Sequence, residues 1–194
     1  DSGINAGFFD SSTGNINFSN FHLPPLSVLF ENAKSTPKVL SAAKAEELAA
    51  LQNATVETIT DANGLQAIKV TFESGILFPT NGTALSDVAK TQLTQFAAKM
   101  ADLPDTDITI YGHTDNTGTA AVNERISAQR AESVSKHLQS NGIAAKRITA
   151  EGKSFNMPVA DNSTAEGRAQ NRRVEVYISA SQAMIDAAEA GTLK

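Results

Sequence analysis

Two runs of alternating side chains meet at a turn that leaves the chain few options. Val56, Thr58 and Thr60 alternate with their neighbours, Asp61-Ala62-Asn63-Gly64 follows, and Gln66, Ile68, Val70 and Phe72 then share one face. A period of two on either side of Asn-Gly is the pattern of a β-hairpin, because that dipeptide supplies the positive φ the turn requires. A hairpin with one apolar face is stable only when that face is covered. The cover comes next in the chain. Leu85, Val88, Ala89, Leu93, Phe96, Ala97 and Met100 recur at helical spacing and predict a helix over 86–101 with one apolar stripe. Ile108 and Ile110 then alternate with Thr109 and Tyr111 in a strand. A second helix is expected over 119–140, closed by Asn141-Gly142 in the C-terminal cap position. Strands over 147–151 and 172–178, separated by an irregular loop, complete the sheet, and a helical tail follows over 181–190. The predicted fold class is α+β, a sandwich with helices on one face of a mixed sheet.

The remaining chain is less regular. Residues 1–25 mix Gly, Ser and Asn with Phe8, Phe9, Phe18 and Phe21 and predict an extended arm, laid on its own domain or on a partner. Leu26 to Leu51 reads as a helical segment broken near Pro37. The expected division is 1–53, arm and helical segment; 54–180, the main domain; 181–194, the tail. A chain of 194 residues, 41% hydrophobic, suits one packed domain plus additions.

Charge and composition narrow the function. A net charge of -5 and a pI near 5.2 offer no basic footprint for nucleic acid. The absence of cysteine removes disulfides and thiolate metal sites. No apolar run approaches the roughly 20 residues that span a bilayer, and the opening at Asp1 has no signal-peptide pattern, which implies that any targeting segment was removed or never existed. No metal site or cofactor is expected.

The helix over 119–140 carries an anomaly. Val122, Ile126, Val134 and Leu138 form an apolar stripe, yet Asn123 and Arg130 fall on it at about 100° per residue. An inward guanidinium needs an anionic partner, from the protein or from a ligand. Just upstream, Gly112-His113-Thr114-Asp115-Asn116-Thr117-Gly118 leaves a strand and enters that helix, a position where side chains commonly line a crevice. Asp115 and Arg130 are thus expected to flank one pocket suited to a zwitterion, Asp115 bonding an ammonium and Arg130 a carboxylate. Two plainer readings stand beside it: an internal bridge from Arg130 to a carboxylate, and Asp115 as a helix cap.

The runs GHTDNTG, NERISAQRAESV, NGI, RITAEGKS, PVADN and EGRAQNRRVEV, in that order over residues 70–178, resemble the C-terminal domain of the OmpA family, shared with peptidoglycan-associated lipoproteins and flagellar stators. TFESGILFPTNGTALS is similar to OmpA-like lipoproteins of Bacteroidetes-type bacteria. The chain departs from the family at Ile126, where Leu is usual, and at Lys153-Ser154. The resemblance implies a β/α/β/α/β-β fold, no enzymatic activity, and non-covalent binding of peptidoglycan through the diaminopimelate of its stem peptide. That residue's free end carries both an amino and a carboxyl group. The resemblance further implies that Asp115 and Arg130 hold diaminopimelate, that Thr114, Asn123 and Ile126 line the site, and that Asn81 and Arg173 contribute to it. It implies a periplasmic, outer-membrane-associated protein that anchors that membrane to the cell wall through an unseen anchor. The alternative is a protein-interaction or homodimerisation module built on the arm. A hydrolase would draw on His113, Asp115 and Ser127, whose spacing forms no nucleophile elbow; a stator would need a preceding membrane helix.

Overall fold

The computed structural model describes residues 42–51, 53–61 and 64–192. The arm with its four phenylalanines, the helical reading of residues 26–41, and Ala62 and Asn63 of the hairpin turn lie outside them. The described elements are α1 (Ala42–Ala49), β1 (Ala54–Thr60), β2 (Gln66–Glu73), α2 (Ser74–Leu77), α3 (Asp87–Lys99), β3 (Thr106–Gly112), α4 (Ala120–Ser140), β4 (Ile148–Gly152), α5 (Ala165–Asn171), β5 (Arg173–Ala180) and α6 (Gln182–Glu189). The five strands form one sheet in the order β1-β2-β5-β3-β4. Only β3 and β4 are parallel. A parallel neighbour requires a crossover, and α4 supplies it. The expected α+β sandwich with a mixed sheet is what the chain forms.

The hairpin forms where the alternation places it. Gly64 takes φ of 74°, and Leu65 donates its backbone N–H to Asp61 Oδ1 at 2.9 Å. Ile68, Val70 and Phe72 bury their side chains between sheet and helices, as do Ile108 and Ile110 of β3 and Val174, Val176 and Ile178 of β5. Leu93 and Phe96 of α3 and Val134 and Leu138 of α4 meet them.

Three details depart from the sequence reading. Residues 165–171, expected as irregular loop, form α5, whose Thr164 cap accepts the Gly167 N–H at 2.9 Å. Seven polar and small residues leave no apolar periodicity to read. Val122, expected on the buried stripe of α4, is exposed, whereas Asn123, Arg130, Val134 and Leu138 are buried where the stripe places them, with the small side chains of Ser127 and Ala131 between them. Finally, Leu48 and Leu51 enter the same core as the sheet, although they precede residue 54. Leu48→Ala is therefore expected to cost about 2–5 kcal/mol in urea unfolding. A loss below about 1 kcal/mol would mean that α1 is dispensable to the core.

Candidate ligand site

The site is assembled where β3 and β4 end side by side under α4. Gly112 and Gly152 are direct partners across the parallel pair. A Cβ on Gly112 would stand 2.2 Å from Ser127 O, and one on Gly152 would stand 2.5 Å from both Ala128 N and Ser127 Oγ. Only hydrogen at both positions lets the helix sit this low. Ser127 Oγ accepts the Ser154 N–H at 3.1 Å, and Thr114 donates its N–H to Ser154 O at 2.9 Å, so helix, turn and neighbouring strand are tied together.

Within the turn from β3 to α4, Asp115 is buried and organises the backbone. Its Oδ1 accepts the Thr117 N–H at 2.9 Å. Asn123 reaches back from the first turn of α4 and donates Nδ2 to Thr117 O at 3.0 Å. The helix cap is Thr119, not Asp115, so the capping alternative fails. The carboxylate keeps Oδ2 for other work: Arg172 Nη1 lies 2.5 Å from it. Burial alone would raise the Asp115 carboxyl, but the hydrogen bonds from Arg172 and Thr117 outweigh it and hold it below its ordinary value. The hydroxyl of Thr114, the residue before it, is buried without a hydrogen-bond partner among the described residues.

Arg130 enters from α4. Its Nε donates to Gly82 O at 3.1 Å and its guanidinium stands 5.2 Å from the centre of the Phe78 ring. Ser133, one turn on, donates to Thr83 O at 2.7 Å, so the loop carrying Asn81 and Gly82 is pinned along the helix. Asn81 is exposed in the left-handed region, at φ of 57°. Among the described residues Arg130 makes no ion pair with a carboxylate, although it is only 6% exposed. Burial lowers its proton affinity, the like charge of Arg172 lowers it further, and Asp115 partly offsets both. The internal-bridge alternative therefore finds no partner here. Ile126 is half-buried on the same helix.

Arg173, the arginine expected at this site, is held elsewhere. Along β5 the side chains of Arg173, Glu175 and Tyr177 alternate to the sheet face opposite Val174 and Val176. There Arg173 Nε donates to Glu175 Oε1 at 2.8 Å and Nη2 to Met157 O at 3.1 Å. His113 Nε2 at 3.2 Å and Tyr177 OH at 2.9 Å complete the ring around Glu175. The arginine that meets Asp115 is Arg172, the residue that caps α5. A seven-residue helix invisible to periodicity delivers it, and the doubled arginine was the only signal in the sequence. The three residues of a hydrolase reading are likewise committed apart: His113 to Glu175, Asp115 to Thr117 and Arg172, and Ser127 to Glu124 O and the Ser154 N–H.

Comparison with known proteins places this geometry. The model of the OmpA family matches residues 77–172, the span that contains Phe78, Asp115, Arg130 and Arg172. Outer membrane protein Omp38 of Acinetobacter baumannii is 39% identical over 114 residues, 58% of this chain and 32% of that protein. Peptidoglycan-binding protein ArfA of Mycobacterium tuberculosis is 39% identical over 112 residues, 58% of this chain and 34% of that protein. The chain thus spans about a third of the length of these relatives. The cell wall anchor of the T6SS from Pseudomonas aeruginosa superposes with a TM-score of 0.62 at 30% identity, covering 76% of this chain and all of that one. On the matched motifs and this shared fold, the chain belongs to the OmpA family.

Proposed function

We propose that this domain binds peptidoglycan in the periplasm without catalysis, holding the diaminopimelate end of the stem peptide between Asp115 and Arg130 and so anchoring the outer membrane to the wall. The observation that carries the reading is Arg130. A guanidinium this deeply buried, with a carbonyl and an aromatic ring but no carboxylate, is costly until an anion arrives. Asp115, close enough to bias its charge, supplies the opposite pole. A ligand carrying ammonium and carboxylate together satisfies both. In this reading Thr114, Asn123 and Ile126 line the site, with Asn81 at the rim. Peptidoglycan binding by a relative, and a wall-anchoring neighbour of the same fold, support the reading. In this scheme residues 54–180 are the binding unit, with 1–53 and 181–194 as additions to it.

Micromolar to millimolar affinity would suffice, because many anchored copies meet a polymeric wall at high effective concentration. The test is retention on insoluble sacculi of the diaminopimelate and lysine types. Wild type is expected to sediment with the first. Asp115→Ala and Arg130→Ala are each expected to lower retention about tenfold or more while the variants stay folded by circular dichroism. Equal retention on both sacculi, or retention indifferent to either substitution, would overturn the reading.

A further inference from the structure

On the helix side of the sheet one buried amide has nothing to bond. Gln92 of α3 is 5% exposed, and its Oε1 has no hydrogen-bond partner among the described residues. A carbonyl oxygen sealed in this way is costly until a donor reaches it. Gln92 lines a cleft of about 350 Å³ together with Val88, Thr91 and Gln95 of the same helix and Ala50, just past α1. The cleft shares no residue with the ligand site, and no charged side chain lines it. Val88, at 57% exposure, offers an uncovered apolar surface there. The walls are fixed. Leu48 and Leu51 seat α1 in the core, Lys99 Nζ stands 3.6 Å from Glu47 Oε1, and Lys44 Nζ stands 3.5 Å from Asp102 Oδ2. These pairs join the first turns of α1 to the end of α3, so the helices run antiparallel and the cleft lies at the far end of α1.

We propose that this cleft is a docking site for the uncharged stretch 11–30 of the same chain, which lies outside the described residues. Three properties support the match, and none depends on wall binding. Between Asp10 and Glu31 the chain carries no Asp, Glu, Lys or Arg, so its entry into an uncharged cleft strands no ion. Charge returns on both sides, at Asp10 and at Glu31, Lys34 and Lys38, which sets the limits of what the cleft accepts. The stretch also holds the complementary groups. Phe21, Leu23, Leu26 and Phe30 are apolar side chains that can cover Val88, and backbone N–H groups between them are the donors that Gln92 Oε1 lacks. A turn about the last torsion of Gln92, broad for a carboxamide, brings that oxygen round to the cleft. The third property is reach. The chain from Phe30 to Ala42 extends to about 40 Å, whereas α1 is about 12 Å long, so the stretch can return along α1 to its far end. A tether of this kind holds it near the cleft at an effective concentration in the millimolar range, which a second copy in dilute solution does not match.

The experiment uses the full chain with a photo-crosslinking side chain, Val88→benzoylphenylalanine, irradiated in dilute solution and mapped by mass spectrometry. Val159→benzoylphenylalanine is the control, because Val159 is exposed to the same 57% but lies outside the cleft. Crosslinks from position 88 are expected within one chain and to residues 11–30, and the control is expected to give none there. Amide exchange gives the second readout. Val88→Asp puts a charge into the cleft but sits in the first turn of α3, where an acidic side chain favours the helix, so the fold should persist. Exchange over residues 11–30 is expected to quicken about tenfold or more in that variant, with the strands unchanged. Crosslinks that join two chains would give the cleft to a second copy and overturn the proposal. So would crosslinks confined to α1 and α3, equal yields from the control, or exchange over 11–30 indifferent to Val88→Asp.

Discussion

Replacing Glu175 by glutamine is expected to cost about 3–5 kcal/mol of stability near neutral pH, because it strands a buried cation. Glu175 is 2% exposed and holds four groups at once: Arg173, Tyr177, His113 and, at 3.6 Å, Lys69. Arg173 is 4% exposed and its other hydrogen bonds go only to carbonyls. Burial pushes the Glu175 carboxyl up, but the His113 hydrogen bond and the charge of Arg173 outweigh it and leave it well below the usual carboxylate range. A depressed carboxyl contributes stability in full above its unfolded value near 4.5, and that contribution is lost as pH falls toward the folded value. His113 adds the same sign. Burial, only partly offset by its bond to Glu175, keeps the ring neutral in the fold, so acidification below its unfolded value near 6.5 protonates the unfolded chain first. Wild-type stability should accordingly decline on acidification from about 6.5, and more steeply below about 4.5. In the Glu175→Gln protein the lower limb should flatten, since the titrating carboxyl is gone. Urea titrations across the acid range check both parts. A loss under about 1 kcal/mol at neutral pH would show that Arg173 finds water or another anion.

Gly112→Ala is expected to cost about 3 kcal/mol or more and to weaken ligand retention in whatever remains folded. The added methyl would lie 2.2 Å from Ser127 O and 3.0 Å from Ser127 C, and backbone in the middle of a helix cannot step aside as a side-chain tip can. Relief requires α4 to rise from β3. That motion separates Asp115, in the turn that follows β3, from Asn123 and Arg130 on the helix. Stability and ligand retention therefore fall together, unlike at Arg130 itself, where binding alone should suffer. Gly75→Ala is the control: nothing lies within 4 Å of the new methyl, and its stability should stay within about 0.5 kcal/mol of wild type. Thermal melts, with retention on sacculi measured well below the transition, distinguish the cases. A Gly112→Ala protein of wild-type stability would mean that the helix does not lie as low as described.

What was legible in the sequence was whatever repeats locally. The hairpin was legible because alternation and Asn-Gly are properties of neighbouring residues, and α4 because 21 residues carry enough turns for a stripe and a cap to show. Arg130 stood out because a cation on an apolar stripe is an anomaly visible without any fold, and Asp115 because a strand-to-helix turn announces itself. The choice between Arg172 and Arg173 was not legible in this way. It depends on which sheet face β5 gives to each side chain and on Glu175, which takes Arg173 out of play. Neither did periodicity show α5, too short for a stripe, nor the exposure of Val122 at the start of α4. How low α4 sits is decided by two glycines on separate strands, Gly112 and Gly152. The sequence by itself determined the five strands, the longer helices and the family, and singled out Asp115 and Arg130 as the proposed pair, because each signal is encoded within a few turns or strands. Only the tertiary structure decided which arginine meets Asp115 and that Arg130 pairs with no carboxylate among the described residues, because both depend on charges far apart in the chain competing for few partners.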